Sequence, residues 1–212
     1  MVARIIAIAA VSAMLAACST AYYGAMEQFG VEKRDILVSR VKVARGEQAD
    51  AQEVFADALE EFRALVDVDG GALERQYDRM SASYQRSKKQ AQEVNTRIKS
   101  VTDVGKRLFN EWETELAQYE SPDLKRRSAE QLSTTQREFN RLVTAMNRAA
   151  GKMDPVLELF EDQVLFLKHN LNARAISSLE TERVRIEERV NALIEDMNTA
   201  IAEADAFITS MG

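Results

Sequence analysis

One cysteine among 212 residues rules out an internal disulfide. Histidine is equally scarce. His169 stands alone, so no pair of imidazoles can share a metal, and no second His or free thiol is available to build a nucleophilic relay. Two prolines and eight glycines leave little material for the loops that usually carry catalytic groups. There is no nucleotide-cradling Gly-rich loop, no nucleophile elbow and no paired-cysteine motif, and no cofactor is expected. A surplus of positive charge is missing as well. The formal net charge is −6, which excludes a phosphate-binding surface of the nucleic-acid type.

What the chain has is concentrated first at its N-terminus. Met1 to Arg4 forms a short positive segment, and Ile5 to Leu15 an apolar run of eleven residues. That run falls short of the roughly 20 residues a membrane-crossing helix needs. Its order and length are those of a secretory signal, to be set aside in fold reasoning. It ends in Leu15-Ala16-Ala17-Cys18, which closely resembles the lipobox of bacterial lipoproteins.

The resemblance implies cleavage between Ala17 and Cys18, with Cys18 as the first mature residue and the acceptor of acyl chains such as palmitate. Several chains, at ~0.8 kcal/mol per buried methylene, make such an anchor effectively permanent. Ser19 stands where the sorting rule for inner-membrane retention favours Asp. The implied location in a Gram-negative host is therefore the periplasmic face of the outer membrane. Loss of residues 1–17 removes only Arg4, so the mature chain carries 27 positive and 34 negative side chains, a balance of −7.

The expected organisation is a signal peptide over 1–17, a lipidated tether over 18–30 and a helical bundle over 31–212. Beyond the tether, apolar residues fall into heptad spacing, with steps of four and three. The first stripe is Leu37, Val41, Ala44, Gln48, Ala51, Phe55, Ala58, Phe62 and Leu65, interrupted only by Gln48. Asp69-Gly70-Gly71 breaks it with residues suited to a helix end and a reversal.

A second stripe runs from Leu73 through Met80, Tyr84, Val94, Val101, Gly105, Leu108 and Trp112 to Tyr119. Ser121-Pro122 ends that segment and starts the next, since Ser caps and Pro suits the first helical position. A third stripe runs from Ser128 through Phe139, Met146 and Met153 to Leu167, and keeps its register through Asp154-Pro155. Two readings stand there: one helix kinked at Pro155, or a new helix capped by Asp154. The unbroken register favours the kink. The fourth stripe, Ile176 to Met211, has Arg183 as its polar intruder. Gln48 and Arg183 either set register or face a neighbouring chain.

The fold class is thus all-α, an elongated antiparallel coiled-coil-like bundle of about four long helices. Two long hairpins, or a three-helix body with a loosely attached end, are the other arrangements open to it. The chain also resembles a family of proteobacterial lipoproteins whose all-helical domain has no known function. The likeness rests on Tyr22-Tyr23, Glu32-Lys33-Arg34-Asp35-Ile36-Leu37-Val38, Leu108-Phe109-Asn110-Glu111-Trp112-Glu113 and Lys152-Met153-Asp154-Pro155-Val156-Leu157. Its most specific stretch is Val164 to Ile176. It implies helices throughout the mature chain and brings no activity with it.

Candidate contacts lie at the two ends of such a rod. Tyr22 and Tyr23, four and five residues after Cys18, suit the membrane interface or belong to a plain tether. Lys33 and Arg34 begin a basic segment that, with Lys125-Arg126-Arg127, makes either a collar for anionic headgroups or an ordinary salt-bridged surface. Lys168, His169, Asn170 and Asn172 read as a helix end and turn, and secondarily as a partner-binding tip. Trp112 reads as core, near a polar edge that satisfies its indole N–H.

The expected function is that of a non-enzymatic, membrane-anchored envelope scaffold or adaptor, held by acyl chains on Cys18 and engaging an envelope protein. A homodimer is a natural further state for exposed heptad seams. Membrane shaping in the manner of crescent helical dimers is the alternative, opposed by the charge of −7. A cryptic hydrolase or metal enzyme is the third class.

Overall fold

A computed structural model describes residues 33–66, 73–170 and 173–212. These form four helices: α1 (Lys33–Val66), α2 (Leu73–Leu116), α3 (Pro122–His169) and α4 (Ala173–Met211). At 1.5 Å per residue they are rods of roughly 50 to 70 Å. Each packs against the next, and α4 closes back on α1, so the bundle is an antiparallel ring of four. Among the arrangements open to the sequence, this is the single four-helix body.

The heptad stripes are what the interior is made of. All nine stripe positions of α1 are buried, with Ile36 and Leu59 widening the face. On α3 every stripe position from Leu132 to Leu167 is buried, and on α4 the positions from Leu179 to Met211 are buried apart from Arg183. Arg183 is partly exposed and its guanidinium pairs with Glu180 of its own helix at 3.0 Å. Gln48 is the opposite case. It is fully buried inside its own bundle, and neither amide atom has a hydrogen-bond partner.

Pro155 lies inside an uninterrupted α3. Proline removes one backbone donor and crowds the carbonyl four residues back, which here belongs to Gly151. Both residues are exposed, so the lost hydrogen bond falls on the solvent side where water can replace it. Proline is therefore tolerated without ending the helix. Between α2 and α3 the Ser121 side chain accepts from the Leu124 N–H at 3.4 Å, with Pro122 as the first helical residue.

One close packing decides a residue type. The Phe139 ring lies against Gly105 so tightly that any Cβ there would overlap it. The same ring meets Phe109 edge-on at 5.2 Å and Phe207 at 5.9 Å, tying α2, α3 and α4 together.

The helices do not end level. Lys33 meets Glu111, Gln136 meets Glu113 and Phe139 meets Phe207, which brings the start of α1 and the end of α4 alongside the last turns of α2. From there α3 has more than ten residues still to run towards its own N-terminus, about 15–20 Å. Within it, Pro122–Gln131 is exposed at every position except the half-buried Ser128. On α2, Phe109 is the last buried residue, while Trp112 and Leu116 are half-buried and Glu115 is exposed, as is Tyr119 in the turn after it. The stripe positions Glu115, Tyr119 and Ser128 therefore lie outside the buried core, beyond the level of Lys33 and Met211.

Candidate functional site

The α3–α4 turn closes one end of the rod. Asn170 is the C-cap of α3. Its backbone N–H donates to the Leu167 carbonyl at 3.1 Å and its side-chain amide to the Phe166 carbonyl at 2.9 Å, satisfying two helix-end acceptors. Lys168 and His169 occupy the last turn, where positive charge complements the helix dipole. Beside them two large apolar side chains face solvent, Leu165 at 55% and Phe166 at 41% exposure. The reading of this stretch as a helix end missed that exposed pair. The signal was present: the core stripe takes Gln163 and Leu167, leaving Leu165 and Phe166 off it. Asn172 lies outside the described residues.

The opposite end gathers the start of α1, the end of α4 and the α2–α3 turn. Here Lys33 and Arg34 are committed to partners inside the bundle. The Lys33 ammonium pairs with Glu111 at 2.6 Å, and Arg34 donates to the backbone carbonyl of Met211. Arg126 bridges Asp123 at 2.8 Å and Glu130 at 3.0 Å, and Arg127 reaches Asp123 at 3.4 Å. Arg45 binds Asp205 through two nitrogens at 3.1 and 3.2 Å. These cations lie towards the same end of the rod, each paired with a carboxylate or a backbone carbonyl. The Trp112 indole donates to Ser128 Oγ at 2.8 Å, the polar-edge partner its position calls for. Ala17, Cys18, Tyr22 and Tyr23 lie outside the described residues.

The flanks carry grooves that the heptad analysis did not find, because outward positions on neighbouring helices become adjacent only on packing. One, about 810 Å³, lies between α3 and α4 and is lined by Arg137, Arg141, Arg148, Thr199 and Glu203. Its cations are partly engaged: Arg141 lies 3.9 Å from Glu203, while Arg148 and Lys152 share Asp196 at 3.6 and 2.8 Å. A smaller trough of about 280 Å³ between α2 and α3 holds Tyr84, Lys88, Asn95, Asp154 and Glu161. Burial pushes the Tyr84 phenol above its usual range, as does the Glu161 carboxylate beside it, while Lys88 works the other way. Both grooves are open surface troughs, lined by side chains suited to polar recognition. Among the described residues no three His, Cys, Asp or Glu come together as a metal-binding group. Nor is any helix there long and apolar enough to cross a membrane.

The family described as "Protein of unknown function (DUF2959)" matches residues 22–211, nearly the whole of the chain. The chain belongs to this family. No curated protein and no solved structure matches it. Membership in DUF2959 therefore covers all four helices and the segment from Tyr22 to Glu32 ahead of them, and assigns no activity.

Proposed function

We propose that this DUF2959 protein is a non-enzymatic envelope scaffold, anchored through acyl chains on Cys18 and presenting the α3–α4 tip to a protein partner. The observation that carries the reading is the separation of the two ends. Residue 33, which the chain reaches from Cys18, lies at one end with Met211. The exposed Leu165–Phe166 pair lies at the other, some 50 Å away by the rise of the helices. Paired exposed apolar side chains beside Lys168 and His169 suit a protein contact, where a few desolvated anchors supply most of the binding energy. With Ser19 after the cysteine, the proposed location is the periplasmic face of the outer membrane in a Gram-negative host.

Two experiments test the two halves. Metabolic labelling with an alkynyl fatty acid is expected to mark the wild-type protein and not Cys18→Ala; label retained by the variant would remove the anchor from the reading. In-cell crosslinking of the full lipidated protein, followed by purification and mass spectrometry, is expected to recover an envelope partner. That partner is expected to disappear from a Leu165→Asp/Phe166→Asp variant whose helicity is unchanged. Recovery of self-crosslinks alone would sink the adaptor reading.

A further inference from the structure

Exposed charge is divided by sign between two opposite sides of the rod. On α1, every exposed position from 50 to 60 is an acid: Asp50, Glu53, Asp57 and Glu60. Steps of three, four and three put them on one line along the helix. The buried stripe passes through Gln48, Ala51, Phe55 and Ala58, so this line is the back of α1, turned away from the core. None of the four carboxylates has an ion-pair partner among the described residues. Like charges three and four residues apart oppose a helix, so the row is relieved only by cations from outside it.

The back of α3 is the counterpart. From Ser133 to Gly151 the only charged side chains at exposed positions are Arg137, Arg141 and Arg148. They line the groove of about 810 Å³ beside α4. Their contacts within the chain are slight. Arg137 donates to the Thr134 hydroxyl at 3.2 Å, and Arg141 stands 3.9 Å from Glu203. Arg148 stands 3.6 Å from Asp196, which Lys152 already holds at 2.8 Å. Arg141 and Arg148 keep 67% and 56% of their side chains exposed. Each guanidinium has five donors in a fixed fork, so capacity for a further carboxylate remains.

We infer that the back of α3 docks the back of α1 from a second copy of this chain, arginine row against carboxylate row. Three observations commit the site to this occupant. The signs are complementary. The lengths agree, since residues 50–60 span about 15 Å and residues 137–148 about 17 Å at 1.5 Å per residue. The rows also face away from each other, because α1 and α3 stand diagonally across the ring. They cannot pair within one molecule. A free polyanion on the arginines would leave the carboxylate row as it is, whereas a second copy satisfies both.

A contact between unlike faces is heterologous. Each added copy leaves one carboxylate row and one arginine row free, so the product is a line of rods rather than a closed pair. Alternate helices of an antiparallel ring run the same way, so α1 and α3 meet as parallel neighbours when the rods point in one direction. The contact leaves Leu165 and Phe166 uncovered and requires no acyl chain.

The test is sedimentation velocity of the full chain in a nonionic detergent, at about 50 and about 300 mM NaCl, where screening differs strongly. At low salt the wild type is expected to gain at least about twofold in weight-average mass as concentration rises, and to lose the gain at high salt. Asp50→Lys/Glu53→Lys/Asp57→Lys/Glu60→Lys and Arg137→Glu/Arg141→Glu/Arg148→Glu are each expected to stay monomeric with unchanged helicity. Mixed one to one, they are expected to associate again, since one variant presents cations on both sides and the other carboxylates. Asp57→Asn/Glu60→Gln and Arg141→Gln/Arg148→Gln, which only neutralise, weaken association in the same way and serve if a reversal unfolds. A monomeric wild type at low salt, association that survives both reversals, or a mixture that stays monomeric would each overturn the proposal. Clustering through acyl chains alone is indifferent to both reversals, so this result is separate from the anchor reading.

Discussion

At the scale of single residues, three interior positions carry consequences that the apolar stripes alone do not. Gln48 is fully buried with its amide unsatisfied, a state that costs about 1–3 kcal/mol for such a group. Gln48→Leu is therefore expected to raise stability by about 1–2 kcal/mol, seen in denaturant titration as a higher midpoint with an unchanged slope. No gain would indicate that the amide finds partners in solution. Gly105 is held by the Phe139 ring, and that ring is hemmed by Phe109 and Phe207. Gly105→Ala gains up to about 1 kcal/mol of helix propensity but is expected to lose about 1–3 kcal/mol through overpacking. A Phe139→Leu partner substitution should recover part of the loss.

Tyr84 supplies the pH prediction. Burial and Glu161 raise its pKa above the ordinary value of 10.0, so the folded state holds the phenolic proton more tightly than the unfolded chain does. Its contribution is fully present below about pH 10 and is lost as pH rises through the folded-state value. Tyr84→Phe should flatten the decline of melting temperature above pH 10; an unaltered alkaline limb would place the titrating group elsewhere.

At the scale of elements, the helix ends divide into those held by packing and those held by local chemistry. The first three turns of α3 belong to the second kind. They rest on the Ser121 cap, Pro122, and the Asp123–Arg126, Asp123–Arg127 and Arg126–Glu130 pairs, all exposed. Ser121→Ala removes a cap worth about 1 kcal/mol. It is expected to speed amide exchange across 122–131 and leave the global midpoint nearly unchanged, because these turns open without the core. A large drop in the midpoint would mean that these turns are part of the cooperative unit. The α3 C-terminus contrasts with this, since Leu167 is buried beside the Asn170 cap and anchors the last turn.

At the scale of the molecule, the ring of four antiparallel helices makes a rod rather than a ball. A compact chain of this length has a radius of gyration near 17 Å, whereas a four-helix rod about 70 Å long gives about 20–22 Å. Small-angle scattering of the monomer is expected in the higher range, and a value near 17 Å would reject the extended bundle. The rod also separates roles by position. The end reached from Cys18 holds the α2–α3 turn, and the far end exposes Leu165 and Phe166.

The sequence by itself determined the helices, their antiparallel order and most of the core. Side chains at 3.5-residue spacing can bury together only in long packed helices, and breaks as short as Ser121-Pro122 force a reversal. The same spacing identified Trp112 and Gln48 as stripe positions and left their environments open. Only the tertiary structure decided those: Trp112 finds Ser128 on the next helix, and Gln48 finds no partner. It also decided that Pro155 is tolerated, because whether a lost hydrogen bond faces water depends on which side of the helix is packed. The α3–α4 groove and the exposed Leu165–Phe166 pair likewise depend on how neighbouring helices lie against one another. That arrangement follows from the summed packing of four helices, which no single stripe encodes.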